Sequence, residues 1–140
     1  MPHRGGLYRR VHDFFEQVWN DKEVDALGDF LSRDVIIHGI TEDHSPILTF
    51  NDYAMMRSRV ISAFPDINFS VDHVLVEDDR SAVRYRMSGT HRGQGFRTAP
   101  TGQRFDVSGM AISRWEDDML VEIWSYFDQL QLYRQLGITI

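Results

Sequence analysis

Apolar residues in the first half of the chain recur at helical spacing. Between residues 7 and 20 they fall at positions i, i+4, i+7 and i+8, which predicts an amphipathic helix. A later helix, the third along the chain, is predicted after Asn51, which is a good N-cap residue, and Pro65 ends it. Between these two helices, the β-branched run at residues 35–38 predicts a short strand. A second, shorter helix is predicted before that strand, from four apolar residues that share one face: Val24, Leu27, Phe30 and Leu31.

In the second half of the chain the apolar period falls toward two, which predicts strands. Short polar turns at residues 78–81 and 116–118 separate them, and residues 92–104, which are rich in glycine, form a longer loop. A closing helix is predicted at residues 129–136. Successive strands joined by short turns indicate an antiparallel meander. The four predicted strands are residues 67–77, 82–91, 105–115 and 120–128.

Helices followed by a meander indicate an α+β fold. A long antiparallel sheet twists and tends to curl. We therefore expect a cone-shaped α+β barrel, a curved mixed or antiparallel sheet wrapped around the N-terminal helices. The open end of such a cone would be a pocket. Residues 1–140 are expected to form a single domain with its core at about residues 7–137.

Composition narrows the possible functions. The net charge of −6 argues against nucleic acid and against an anionic membrane surface as partners. The chain has no cysteine, so thiolate and disulfide chemistry are excluded. No apolar stretch suits a signal peptide or a membrane span, which makes a cytoplasmic location the expectation. No histidine spacing typical of a metal site occurs, so no metal is expected.

Short segments along almost the whole chain resemble a known family. They are residues 18–20, 34–39, 63–66, 89–93, 99–102, 123–128 and 135–137, with the sequences VWN, DVIIHG, AFPD, GTHRG, APTG, IWSYFD and QLG. In this order and spacing they resemble the SnoaL-like polyketide cyclases of the nuclear-transport-factor-2-like superfamily.

The resemblance implies a cone-shaped barrel, a homodimer packed through the outer sheet face, and no metal or organic cofactor. It also implies ring closure of an aromatic polyketide ester by intramolecular aldol condensation. The family uses an aspartate before the C-terminal helix as acid/base, and Asp128 occupies that position. A histidine of the family on the preceding strand has no counterpart at residues 105–115, so either another residue such as His38 or His91 replaces it, or the chemistry differs from that of the family.

Two interpretations of Asp128 follow from the sequence. Trp124, Tyr126 and Asp128 alternate along one strand and share a face, where aromatic neighbours would raise the carboxyl pKa and make a general base. Alternatively, Asp128 and Gln131 have the spacing of a capping box, and hydrogen bonds from helix amides would lower that pKa. Both interpretations stay open.

The two candidate histidines have similar alternatives. His38 would be a pocket-facing donor or a hydrogen-bonded residue at the rim, and His91 would face the pocket mouth or organise the loop that follows it. Arg84 and Arg86 share one strand face, and a solvated or dimer-facing position is expected for them. The residues expected to line the pocket are Trp19, Tyr53, Phe64, Met110, Trp124 and Tyr126.

The function predicted from these features is that of a cofactor-independent acid/base enzyme, a cyclase or isomerase, acting on a hydrophobic small molecule that bears a carbonyl group. The alternatives are a non-catalytic binding module on the same fold, or an enzyme of the epoxide hydrolase or dehydratase type. Val121, Ile123 and Phe127 are expected on the outer sheet face, where a second copy of the chain would cover them.

Overall fold

A computed structural model describes residues 4–41, 43 and 45–139. Three α-helices and five strands make up most of this part of the chain. A π-helical segment, Phe14–Asn20, continues the first helix, and a single 3₁₀ turn, Ala26–Asp29, follows it. In chain order the elements are α1 (Arg4–Asp13), β1 (Leu31–His38), α2 (Phe50–Ala63), β2 (Asn68–Glu77), β3 (Arg80–Thr90), β4 (Arg104–Glu116), β5 (Met119–Phe127) and α3 (Gln129–Leu136).

The five strands form one mixed sheet in the order β1-β5-β4-β3-β2. Strands β2 to β5 pair antiparallel, as the predicted meander requires. Strand β1 joins the far edge parallel to β5, with Ile37 opposite Ile123. The α+β class is confirmed, and the sheet is open rather than closed into a barrel, because β1 and β2 remain its two edges.

The helical half differs from its prediction in detail. The second predicted helix is reduced to the 3₁₀ turn, with Val24 86% exposed and Leu31 already in β1. Helix α2 begins two residues earlier than expected, because Thr49, not Asn51, is its N-cap. Thr49 has the extended backbone that a cap needs, and its hydroxyl accepts a hydrogen bond from the Asp52 amide at 3.1 Å. None of the helices in the described ranges is long and apolar enough to cross a membrane.

The core lies between the helices and the inner face of the sheet. The π-helical segment buries four side chains there, Phe14, Phe15, Val18 and Trp19. The outer face is polar over β3, where Arg84 pairs with Asp72 at 2.9 Å and Arg86 with Asp106 at 2.7 Å. On β4 and β5 the outer face also carries the exposed apolar side chains of Met110, Ile112 and Tyr126. The predicted homodimer through this face stays a prediction.

Gly109 lets a large side chain cross the inner face of the sheet. It lies on β4 opposite Tyr85 of β3 and Phe127 of β5. A Cβ atom at position 109 would overlap the ring and hydroxyl of Tyr85. Because that space is free, the Tyr85 side chain passes over β4 and its hydroxyl lies 3.1 Å from the Ser125 Oγ.

We expect Gly109→Ala to destabilise the protein by about 1–3 kcal/mol, because the added methyl group forces the Tyr85 ring out of its site. Urea unfolding followed by circular dichroism measures the change. Gly28→Ala is the matched control, since no atom lies within 4 Å of a Cβ built at position 28. Equal stability of Gly109→Ala and the wild type would contradict the crossing of Tyr85 over β4.

Candidate functional site

A cavity of about 420 Å³ lies between the inner sheet face and the helices. Its size falls within the range of small-molecule binding sites, which is about 300–1,000 Å³. Most of its wall is apolar. The aromatic side chains that line it are Phe14, Phe15, Trp19, Tyr53, Phe64, Phe69, Tyr85, Phe96, Phe105, Trp115, Phe127 and Tyr133.

Hydroxyl groups interrupt the apolar wall on the sheet side. Ser81 and Ser113 face each other across β3 and β4, and Ser125 of β5 lies opposite Ala111, two residues from Ser113 along β4. Ser81 accepts a hydrogen bond from the Trp115 indole nitrogen at 3.0 Å. The Ser113 hydroxyl makes no side-chain hydrogen bond within the described part of the chain. It is therefore available to a ligand atom.

Two of the buried tyrosines of the wall, Tyr53 and Tyr85, are neutral near physiological pH. Burial raises the pKa of Tyr53 and of Tyr85 above the ordinary tyrosine value. The Tyr53 hydroxyl accepts a hydrogen bond from the Trp19 indole nitrogen at 3.3 Å, so its own proton remains available. A neutral phenol can donate a hydrogen bond to a carbonyl oxygen, and the cavity therefore presents donors within an apolar surround.

The cavity opens between α2, the 92–103 loop and the start of α3, where its lining residues become exposed. Arg59 of α2 and Gly95 and Arg97 of the loop are exposed lining residues. Gln129 completes the rim, and its amide nitrogen donates to the Thr41 carbonyl oxygen at 3.4 Å. Ligand entry is expected on this side.

The 92–103 loop is attached to the C-terminal end of α2. The amides of Arg92 and Gly93 both donate to the Ala63 carbonyl oxygen, at 3.2 and 3.1 Å. A Cβ at position 93 would overlap the Ser62 carbonyl group, so glycine permits this close approach. The loop thus forms one side of the cavity mouth.

The sequence itself supplies the decisive comparison. Residues 9–136 match the sequence profile described as SnoaL-like polyketide cyclase.

This chain belongs to the SnoaL-like polyketide cyclase family.

Solved structures with the same fold are similar to this SnoaL-like chain over nearly its whole length. A SnoaL-like protein from Jannaschia sp. CCS1, provisionally named a polyketide cyclase, shares 18% identity at a TM-score of 0.86 and covers 100% of this chain and 97% of its own. AclR from Streptomyces galilaeus, provisionally named a hydroxylase, shares 22% identity at a TM-score of 0.84, with coverage of 99% and 89%.

A third similar structure is described by its fold. It is a protein from Catenulispora acidiphila DSM 44928 with a ketosteroid isomerase-like fold, solved in complex with trimethylamine. It is 12% identical to this chain at a TM-score of 0.77, and the match covers 93% of each chain. At these identities the structural likeness establishes the fold alone. No curated protein sequence is significantly similar to this chain.

Three of the six residues predicted for the pocket of this SnoaL-like protein line the cavity: Trp19, Tyr53 and Phe64. Contact of these residues with a substrate stays a prediction.

The other three predicted pocket residues, Met110, Trp124 and Tyr126, lie on the outer sheet face, and their placement in the pocket was wrong. Met110 is opposite Tyr126, and Trp124 is opposite Ile112. Met110 is 63% exposed and Tyr126 50%.

Strand β5 explains this error, because it has large apolar side chains on both faces. A shift of one residue exchanges the faces of a strand, and the alternation along β5 alone cannot decide between them. Its pairing with β4 directs Ile123, Ser125 and Phe127 to the cavity. Ile123 and Phe127 are therefore inside, and their expected position on the outer face was also wrong.

His38 lies on the outer face of the sheet, so a pocket-facing role is wrong for it. Its Nε2 is 2.8 Å from a Glu122 carboxylate oxygen, and its ring stacks on Trp124. Arg114 lies 3.6 Å from the other Glu122 oxygen. The hydrogen bond from His38 and the charges of His38 and Arg114 hold the pKa of Glu122 below its ordinary range.

His91 is completely buried behind two residues of the cavity wall, Phe64 and Phe96. Its Nδ1 accepts a hydrogen bond from the Thr101 amide at 3.3 Å, which assigns the ring proton to Nε2. Burial lowers the pKa of His91, so the imidazole is neutral. It is not among the lining residues, and its contacts organise the loop, as one of the two sequence interpretations expected.

Asp128 is the N-cap of α3. Its Oδ1 accepts a hydrogen bond from the Gln131 amide at 3.1 Å. The capping interpretation is thereby confirmed. The carboxylate is exposed and lies outside the cavity lining, but its neighbours Phe127 and Gln129 both line it, so Asp128 stands at the rim. A role as the catalytic base stays a prediction.

The described lining contains no aspartate, glutamate or histidine. Within the same residues no group of histidine and carboxylate side chains is placed to hold a metal ion. The polar groups of the cavity include Tyr85, Ser113 and Ser125, which were not predicted from the sequence. Serines inside otherwise β-branched strands, with a glycine beside them on β4, are the sequence signal that could have identified them.

We expect Glu122→Gln to lower the free energy of unfolding near pH 6 and to have a diminishing effect as the pH falls. The depressed pKa of Glu122 means that its ionised form contributes stability above the ordinary value of 4.5, and that this contribution is lost as acid protonates it. Urea unfolding at pH 6, 4 and 3 measures the difference between wild type and variant.

Glu77→Gln is the control for a loss of one negative charge, because Glu77 is exposed at the end of β2. If the difference in unfolding free energy between wild type and Glu122→Gln stayed constant from pH 6 to pH 3, the ionised Glu122 carboxylate and its contact with His38 would not be the cause of that difference.

Proposed function

We propose that this SnoaL-like protein is a cofactor-independent acid/base enzyme of the cyclase or isomerase type. Its substrate would be a hydrophobic, carbonyl-bearing small molecule held in the cavity. The observation that carries this proposal is the buried hydroxyl pair of Tyr85 and Ser125, 3.1 Å apart on an otherwise apolar wall. Membership in the polyketide cyclase family supports the same reaction class.

The apolar wall favours a flat, ring-bearing ligand. Burial of apolar surface contributes roughly 25 cal/mol per Å², so a molecule of two or three fused rings would gain most of its affinity from the aromatic lining. Edge and face contacts with the rings of Phe15, Phe69 and Tyr85 would add to this, since their centroids already lie 5.4–5.5 Å apart.

The chemistry would begin with removal of a proton from a carbon atom next to a carbonyl group. The electron pair of that C–H bond moves to the carbonyl oxygen, and the enolate oxygen accepts a hydrogen bond from the neutral Tyr85 hydroxyl. In a ring closure, the enolate carbon then attacks a second carbonyl carbon, one C–C bond forms, and the resulting alkoxide takes up the proton. Donors held in an apolar site stabilise such developing charge strongly.

Asp128 would be the group that takes and returns the proton. It stands at the rim between two lining residues, and only its Oδ1 is used by the helix cap. This assignment places the reacting carbon at the cavity mouth and the carbonyl oxygen toward Tyr85. The family position of the acid/base aspartate supports it.

A second candidate function is non-catalytic binding of the same kind of ligand. The lack of an acidic or imidazole side chain on the described wall favours it. The two functions differ in one observable, which is proton exchange at the carbon next to the carbonyl group of a bound ligand.

Incubation with 2-tetralone in deuterated buffer tests the enzyme proposal, because proton abstraction incorporates deuterium at the carbon atoms beside its carbonyl group. We expect exchange above the buffer rate, measured by proton NMR. Asp128→Asn should lower that excess by about 100-fold or more, which is typical for loss of a general base. Tyr85→Phe should lower it by about tenfold or more, because the enolate loses a donor.

Asparagine caps a helix about as well as aspartate, so Asp128→Asn should unfold at the same urea concentration as the wild type. Full exchange activity in Asp128→Asn would remove the catalytic role of this residue. Saturable binding of the ketone with exchange no faster than in buffer would favour the binding module.

A further inference from the structure

Two arginines occupy the mouth of an otherwise uncharged cavity. Arg59 is an exposed lining residue, and the described lining carries no carboxylate beside it. Arg97, the second exposed arginine of the lining, already has interaction partners of its own. The chain as a whole has a net charge of −6. Arg59 is therefore a local positive charge on an acidic chain, and it points to the charge of the ligand.

Arg59 is the better defined of the two. Its neighbour Arg57 has a structural role, because it donates to the carbonyl oxygens of Val18 at 3.0 Å and Glu23 at 3.2 Å. Within the described residues Arg59 makes no such bond. Its backbone is held where the loop crosses α2, since a Cβ at Gly95 would lie 3.0 Å from the Arg59 carbonyl oxygen. The guanidinium is thus tethered at the mouth by a fixed backbone and remains able to pair with a ligand.

Arg97 marks the loop side of the same opening. Its guanidinium lies over the ring of Tyr133, 5.1 Å from the centroid, and Tyr133 also lines the cavity. The cation–π contact orients this charge toward α3. A ligand that enters between α2 and α3 passes both cations.

We propose that the ligand is an aromatic carboxylate whose ring body fills the cavity and whose carboxylate remains at the mouth, paired with Arg59. The proposal deepens the proposed function, because it names the substrate class for the same cavity. It also fixes the orientation of the ligand within the cavity. The carbonyl group lies toward Tyr85 and Ser125, and the anionic group lies in contact with water, so its charge is never fully desolvated. Asp128 is the described acid at the rim, and its charge is partly offset by the N-terminus of α3.

Anthracene-2-carboxylate and anthracene-2-carboxamide are suitable probes, because they share shape and fluorescence and differ in charge. We expect the wild type to bind the carboxylate about fivefold more tightly, which corresponds to about 1 kcal/mol and is the upper range for an exposed ion pair. Fluorescence titration at low ionic strength measures both affinities. At 0.5 M salt the preference should shrink, because exposed charges are screened.

Arg59→Gln should remove the preference, because the carboxylate loses its ion pair, and Arg59→Lys should retain part of it. Arg92→Gln is the matched control, since Arg92 is an exposed arginine of the 92–103 loop and lies outside the cavity lining. It should keep the full preference. Circular dichroism spectra that match the wild type show that each variant is folded.

Equal affinity of the wild type for the two probes would overturn the carboxylate proposal and leave the proposed function standing. A preference that survives in Arg59→Gln would overturn the role of Arg59. If neither probe binds, the cavity does not take aromatic ligands, and the proposed function fails together with this inference.

Discussion

The register of β4 between β3 and β5 is the constraint on which the site depends. It sets Ser81 opposite Ser113 and Ala111 opposite Ser125, and it brings Tyr85 over Gly109. Every polar group of the cavity wall on the sheet side follows from this alignment. A slip of β4 by one residue would turn Ser113 outward and bring Arg114 inward. The chemistry available to a ligand is therefore decided by strand pairing, before any contact between helices and sheet is made.

Much of the fold could be predicted from the sequence, because period and turn residues are local signals. The four strands of the meander and helix α3 lie within a few residues of their predicted positions. The parallel pairing of β1 with β5 could not be predicted in this way, because it joins two segments more than 80 residues apart. The short 3₁₀ turn was also missed, because four apolar residues at helical spacing can equally be a turn followed by the first residue of a strand.

The candidate site was less predictable than the fold. His38 and Trp124 were selected as chemical groups by residue type, yet they stack on each other on the outer face. No sequence pattern distinguishes Tyr85 as a site residue. Its place in the cavity wall becomes evident only from the structure, in which its side chain passes Gly109 and reaches Ser125. Asp128 is difficult to interpret for a different reason, because the same residue caps helix α3 and lies at the rim of the cavity. Sequence spacing detects the first property, and only tertiary structure reveals the second.

The attachment of the 92–103 loop has a consequence for how the protein can diversify. The two ends of the loop are bonded to each other, since the His91 amide donates to the Gln103 carbonyl oxygen and the Gly102 amide to the His91 carbonyl oxygen, both at 2.9 Å. Its first residues are also bonded to α2. The tip between these anchors includes Phe96 and Arg97, which face the cavity. Substitutions or insertions at the tip could therefore change which ligands are admitted at little cost to folding, whereas the anchoring residues have little freedom to vary.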